Sequence, residues 1–334
     1  MQTLKRVPQS LRYVDLFCGI GGFRIGLEQG VRKSQHAARC VFSSDTDPDA
    51  QHTYLANFGE QPAGDITTID AAAIPPHDLL LAGFPCQPFS ICGSLKGFED
   101  ARGTLFFDIA RILRYHRPAL FILENVKMLV GHQRGQTLQR MLQILTDELG
   151  YTVSYRVLNA LDFGLPQKRE RVFLVGLRDG GVMQWNFARQ PMQPLSDLLE
   201  PHPADCYTAS AHIQRNRQAK YTGERGAEPT IWHENKGGHI SAYPFSCALR
   251  AGASYNYLLV NGQRRLTERE MLRLQGFPED FRIVCGYHAM RRLVGNSVAV
   301  PCVRAVVQAA LAAFADPQPT YTQPYLLEAT CADC

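Results

Sequence analysis

The chain has 334 residues, of which 45% are hydrophobic and 20% charged, and its net charge is +4. That length allows a sizeable core and two domains, and the mix excludes a disordered or fibrous chain. The start, MQTLKRVPQSLRYVDLF, lacks the apolar centre of a signal peptide, and no run is expected to span a membrane. Ten cysteines follow no disulfide spacing, so free thiols and a cytoplasmic location are expected. The one CxxC, Cys331–Cys334, has no second pair, and no metal site is expected. The charge fits a polyanion partner without requiring one.

In chain order, strands are predicted at RYVDLF (12–17), RCVFSS (39–44), DLLLAGF (78–84), ALFILEN (119–125), TVSYRVLNA (152–160) and RVFLVGL (171–177). Helical segments separate them. In DTDPDAQHTYLANFG, Asp47 is the expected N-cap, Pro48 opens the helix and Gly59 ends it. TLFFDIARILRYHRP and GQTLQRMLQILTDELG have helical spacing, stopped by Pro118 and Gly150. The alternation predicts an α/β fold with a doubly wound, mostly parallel sheet covered on both faces.

Residues 1–188 are read as this first domain. Residues 189–267 are irregular and hold nine Lys/Arg against six Asp/Glu, so they carry +3 of the charge. They are expected to form a smaller, β-rich domain with a polar working surface. Regular structure returns with LTEREMLRLQGF and AVPCVRAVVQAALAAF, and 268–334 is read as a hinge plus a final helix.

DLFCGIGGF places Gly19, Gly21 and Gly22 directly after the first strand, where backbone can approach a nucleotide closely. Arg24 stands where a dinucleotide fingerprint needs its third glycine, which weakens that reading. The second strand ends at Asp45, placed to accept hydrogen bonds from ribose hydroxyls. The third strand delivers Cys86 to the carboxyl edge of the sheet, on a loop fixed by Pro85 and Pro88 and made polar by Gln87 and Ser90. The fourth delivers Glu124 to the same edge, and Arg169 and Arg171 in QKRER precede another strand. A thiol near positive charge gains thiolate character and becomes a carbon nucleophile. Taken singly, each of these residues is equally at home as a buried cysteine, a paired carboxylate or a solvated charge run.

Taken in order, DLFCGIGGFRIGLE, GDITTID, GFPCQPFS with GFEDARGTLFFDIARIL, ENVKML, QKRERVFLVG, RRLTEREMLRLQGFPEDF and GNSVAVP resemble bacterial DNA cytosine-5 methyltransferases of restriction-modification type. The resemblance covers nearly the whole chain. It implies a Rossmann-like methyltransferase fold and S-adenosylmethionine (SAM) as methyl donor, leaving S-adenosylhomocysteine (SAH). Phe17, Gly19, Ile20, Gly21 and Gly22 would cradle SAM, Asp45 with Thr46 would meet its ribose and adenine, and Asp65 with Ile66 the adenine. Pro85, Leu105, Asn296, Ser297 and Val298 would complete that pocket.

The resemblance also implies that Cys86 adds to carbon 6 of a flipped-out cytosine, with Glu124 at N3. Arg169 would position O2, and Arg171 would support Glu124. Residues 189–267 become a target-recognition domain for double-stranded DNA, with Lys236, Gly237, Gly238, His239 and Arg250 reaching bases or phosphates beside Gln87 and Ser90. A short G/C-containing palindrome, a monomer and an independently acting cognate endonuclease are the matching expectations. Two departures stand out. Thr46 replaces a common aromatic, and Ala248 replaces a common threonine of the recognition domain. An RNA methyltransferase, a silent DNA-binding module and an NAD-linked oxidoreductase are the competing readings. The intact Cys86, Glu124, Arg169 and Arg171 argue against the silent module.

Overall fold

A computed structural model describes residues 10–33, 37–85, 105–181, 183–223 and 229–315. The first half builds β1 (Ser10–Leu16), α1 (Gly22–Lys33), β2 (Ala37–Ser44), α2 (Pro48–Phe58), β3 (Leu79–Gly83), α3 (Leu105–His116) and β4 (Leu120–Val126). It continues with α4 (Met128–Gly131), α5 (Gln136–Gln143), β5 (Thr152–Asn159), the two-residue β6 (Gln167–Lys168) and β7 (Glu170–Leu177). Six strands form one sheet in the order β2-β1-β3-β4-β7-β5. The pairs β1–β2, β1–β3 and β3–β4 are parallel, whereas β7 runs antiparallel to both β4 and β5. Its reversal follows from chain length. A parallel crossover needs a dozen residues or more, and the connection from β5 to β7 is shorter.

The buried strands divide their side chains between two faces, as a period of two requires. Leu79, Leu81 and Ile122 join Phe23 and Leu27 of α1 and Val303, Val306 and Val307 of the last helix. Leu80, Ala82, Phe121 and Leu123 join Phe106 and Ile109 of α3 and Leu138 and Met141 of α5. Helix α2 starts as its sequence dictates. The Asp47 side chain accepts from the amides of Asp49 and Ala50, Pro48 follows, and Gly59 closes the helix at φ 70°.

The second half holds α6 (Ala211–Lys220), β8 (Ile231–Glu234), β9 (Ile240–Tyr243), the two-residue β10 (Ser246–Cys247) and β11 (Leu258–Val260). Strands β11, β8 and β9 form a small antiparallel sheet, and β10 pairs with β6 of the first half. Three helices follow: α7 (Glu268–Gln275), α8 (Tyr287–Asn296) and α9 (Val300–Ala315). Buried residues of α7 and α8, with Val300 at the start of α9, form a third cluster with Leu249, Tyr257 and Leu258 of the small sheet region and Ile20 of the glycine loop. By length and composition alone the segment Tyr287–Ala315, which holds α8 and α9, is apolar enough to cross a membrane, and 56% of its most apolar window is buried inside the protein.

At the amino end of β3, far in sequence from the glycine loop, His77 is buried beneath His116, with ring centroids 4.6 Å apart. Its Nδ1 lies 2.9 Å from the Pro75 carbonyl. Burial pushes its pKa down, helped by His116, to about 4. A folded value below the unfolded one means that the unfolded chain binds more protons between those two values. Stability should therefore fall by about 2–3 kcal/mol as pH drops from roughly 6.5 to 4. Urea unfolding of wild type and His77→Gln across that window should show the variant losing less, by about that amount.

Candidate active site

After β1 the chain leaves the sheet through three residues with positive φ: Phe17 (56°), Gly19 (52°) and Gly21 (83°). The turn is held from the next strand. Cys18 N donates to Ser44 O at 3.0 Å, and Gly19 N donates to Asp45 Oδ2 at 2.8 Å. Asp45 Oδ1 accepts from Asp47 N at 2.9 Å, so one carboxylate ties the glycine loop to the start of α2. Burial raises the pKa of Asp45, and the amide of Gly19 works in the opposite direction. Asp65 caps a short 3-10 turn, its Oδ1 accepting from Thr67 N at 2.9 Å.

Phe17, Gly19, Asp45 and Asp65 open on one cavity of about 480 Å³ at the carboxyl edge of the parallel strands. Of the expected cofactor residues, Phe17, Gly19, Gly22, Asp45, Thr46, Asp65, Ile66, Pro85, Leu105, Asn296, Ser297 and Val298 line it. Two do not. Ile20 is buried in the cluster with α7 and α8, and a Cβ on Gly21 would lie 2.3 Å from the Phe58 ring. Gly22 makes the wall itself, because a Cβ there would come within 2.6 Å of Ser297 Oγ. Arg24, in place of a third glycine, lies over Phe58 at 4.5 Å and pairs with Glu60 at 2.7 Å.

Glu124, Arg169 and Arg171 line the same cavity. Glu124 stands opposite Gly83 across the β3–β4 pair. Arg171 enters from β7, and its Nε lies 3.0 Å from Glu124 Oε1. The contact is an ion pair without hydrogen-bond alignment, so Oε1 has no aligned donor among the described residues. Burial raises the pKa of Glu124, against the pull of Arg171 and Arg169.

Arg169 has a different set of partners from those expected of an O2 ligand. Its Nη1 donates to Leu249 O at 3.0 Å, and its Nη2 to Gly295 O at 3.1 Å and to Ser297 O. Burial, then the neighbouring Arg171, push its pKa down to about 9, so it stays charged at neutral pH. The geometry makes it a strut between β10's extension and the cavity wall.

Two polar residues escaped the sequence reading. Buried Asn125 donates from Nδ2 to Phe84 O at 2.9 Å and accepts from Val126 N at 2.8 Å, fixing the peptide that leads into residue 86. Gln167 donates to Leu274 O at 2.8 Å and accepts from Leu249 N at 3.1 Å. The only sequence signal was their place beside Glu124 and Arg169. Cys86, Gln87 and Ser90 lie outside the described residues. Lys236, Gly237, Gly238 and His239 form the turn between β8 and β9, closed by His239 N to Asn235 Oδ1 at 3.0 Å. Exposed Arg250 sits 5.0 Å over the Tyr257 ring, outside the cavity lining.

The family model described as C-5 cytosine-specific DNA methylase matches residues 11–312. The Type II methyltransferase M.NgoBI of Neisseria gonorrhoeae is 53% identical over 294 residues, spanning 87% of this chain and 90% of that protein. M.HaeII of Haemophilus aegyptius, also a Type II methyltransferase, is 50% identical over 295 residues, 88% of this chain and 90% of its own. Among solved structures, the Entamoeba histolytica methyltransferase EhMeth aligns with a TM-score of 0.69 at 15% identity. That match covers 91% of this chain and 98% of that one, a likeness of fold alone.

Proposed function

Since the chain belongs to the C-5 cytosine-specific DNA methylase family, we propose that this DNA cytosine-5-methyltransferase takes its methyl group from SAM and works through a Cys86 adduct at carbon 6. The observation that carries the reading is a single cavity holding both the glycine-loop wall and the Glu124–Arg171 pair. Its residues suit SAM. Two carboxylates, Asp45 and Asp65, offer acceptors for hydroxyl and amino groups, and Ile66, Phe17 and Val298 offer apolar faces. SAM supplies an electrophilic methyl on its sulfonium.

Carbon 5 of cytosine is a poor nucleophile until the ring is saturated next door. The Cys86 thiolate forms a bond to carbon 6, and the electron pair of the C5–C6 double bond shifts into the ring. Glu124 gives or holds the proton at N3, so that this pair becomes enamine-like and reactive at carbon 5. After transfer, a base removes the carbon-5 proton and the returning electrons expel the thiolate. Arg171, beside Glu124 in the cavity, is the better candidate for O2, while Arg169 holds the wall. Asn125 holds the Phe84 carbonyl, two residues before Cys86. A stacked base hides carbon 6, so the target must leave the duplex, at a cost of a few kcal/mol. We place target recognition in 189–267, through the turn 236–239 and Arg250, with phosphates met by the basic side chains.

Incubation with labelled SAM and either duplex DNA or RNA tests this. Label is expected only in DNA, at cytosine carbon 5, and Cys86→Ser should abolish it. Label in RNA alone, or an active Cys86→Ser, would overturn the reading. A duplex with 5-fluorocytosine at the target should trap the adduct, because no proton can leave carbon 5.

A further inference from the structure

Helix α8 carries two successive arginines that reach to opposite sides. Arg291, only 7% exposed, donates from Nη2 to Ala253 O at 2.8 Å and from Nη1 to Ser254 O at 3.3 Å. Its guanidinium also lies 4.8 Å over the Tyr255 ring. It thus holds the 250–257 loop from beneath. Arg292 turns the other way and forks onto the first turn of α2, pairing with Asp49 Oδ2 at 2.6 Å and with Asp47. Asp47 is the residue whose amide binds Asp45 in the cavity.

The end of the same helix completes the arrangement. Asn296, Ser297 and Val298 follow in the cavity wall. Gly295 lies against the backbone of the loop, where a Cβ would come within 2.5 Å of Ala251 N. One short element therefore touches the cavity wall, the start of α2 and residues 250–255 of the loop. Charge-assisted bonds to carbonyls, desolvated at Arg291, and a bidentate carboxylate fork at Arg292 resist sliding.

We propose that Arg291 and Arg292 are positioning residues that couple cofactor binding to DNA recognition. Cofactor in the cavity stiffens the 250–257 loop through α8, and DNA held by that loop tightens the cavity by the same factor. The identity of the two ligands rests on the function proposed above. The Arg292 fork is half-exposed, so its share weakens with salt.

Hydrogen exchange of the full-length protein, with and without saturating SAH and without DNA, reads the coupling. SAH is expected to slow exchange at 250–257 by about fivefold or more, together with 17–22 and 45–50. In Arg292→Gln and Arg291→Gln the SAH effect at 250–257 should fall below about twofold, while 17–22 remains protected. A purely structural role would instead speed exchange in both states and keep the SAH-dependent difference. Arg291→Lys should restore part of it, and the more exposed Arg292 provides the test should Arg291→Gln not fold. Protection of 17–22 with 250–257 unchanged in wild type would overturn the coupling and leave the enzyme reading intact. No protection anywhere would overturn both.

Discussion

Glu124→Gln is expected to lower kcat by roughly 10²–10⁴-fold. The amide keeps the size of the side chain beside Gly83, whose Cβ position lies 3.6 Å from Glu124 Oε2. What it loses is the proton proposed for N3 and the charge that answers Arg171. SAH affinity should change by less than about twofold, because the loss falls on an interaction made with the target base. Calorimetric SAH titration and single-turnover methylation separate the two quantities.

The pH profile gives a sharper signature. Burial already holds the Glu124 pKa above the ordinary carboxylate range. In the proposed mechanism the protonated form is the donor, so its contribution is present below that raised pKa and is lost as pH rises through it. A thiolate at Cys86 works in the opposite direction, rising with pH. Wild type should therefore show a bell, and Glu124→Gln should keep only the rising limb. A variant with wild-type kcat and an unchanged bell would remove Glu124 from the chemistry.

How the chain folds was legible where one local signal sufficed. Leu79 to Ala82 read as a strand because a central parallel strand is apolar on both faces, and the Asp47–Pro48 start of α2 was written in its capping chemistry. The direction of β7 was not legible, since alternation gives a strand without an orientation. Ile20 shows a second limit. A motif counts it with the glycines, but an apolar side chain in that turn is drawn into the core with α7 and α8. Asn125 and Gln167 look like ordinary strand polars, and only packing shows their amides satisfied inside the protein. Arg169 and Arg171 stand two apart in one charged run, and the sequence gives no reason to separate them. Their difference comes from carbonyls at 249, 295 and 297, which the fold brings in from distant sequence.

That difference makes Arg169→Ala the substitution with the largest expected effect on stability. It would strand the carbonyls of Leu249 and Gly295 and leave Ser297 O only a 3.5 Å contact with Gln275 Nε2, in a region where Arg169 itself is only 2% exposed. Each unsatisfied buried group costs about 1–3 kcal/mol. Against this, the variant removes a desolvated charge that lies close to Arg171. The net loss should be about 3 kcal/mol, read from urea unfolding. Because Ser297 is cavity wall, SAH binding should weaken by about tenfold or more, unlike the Glu124 variant. Arg169→Lys keeps the charge but not the fork, so it should recover only part of both losses. If Arg169 instead touched cytosine O2, Arg169→Lys would lose kcat while stability and SAH affinity stayed at wild-type values. Arg171→Lys carries the complementary expectation: kcat falls, and SAH still binds.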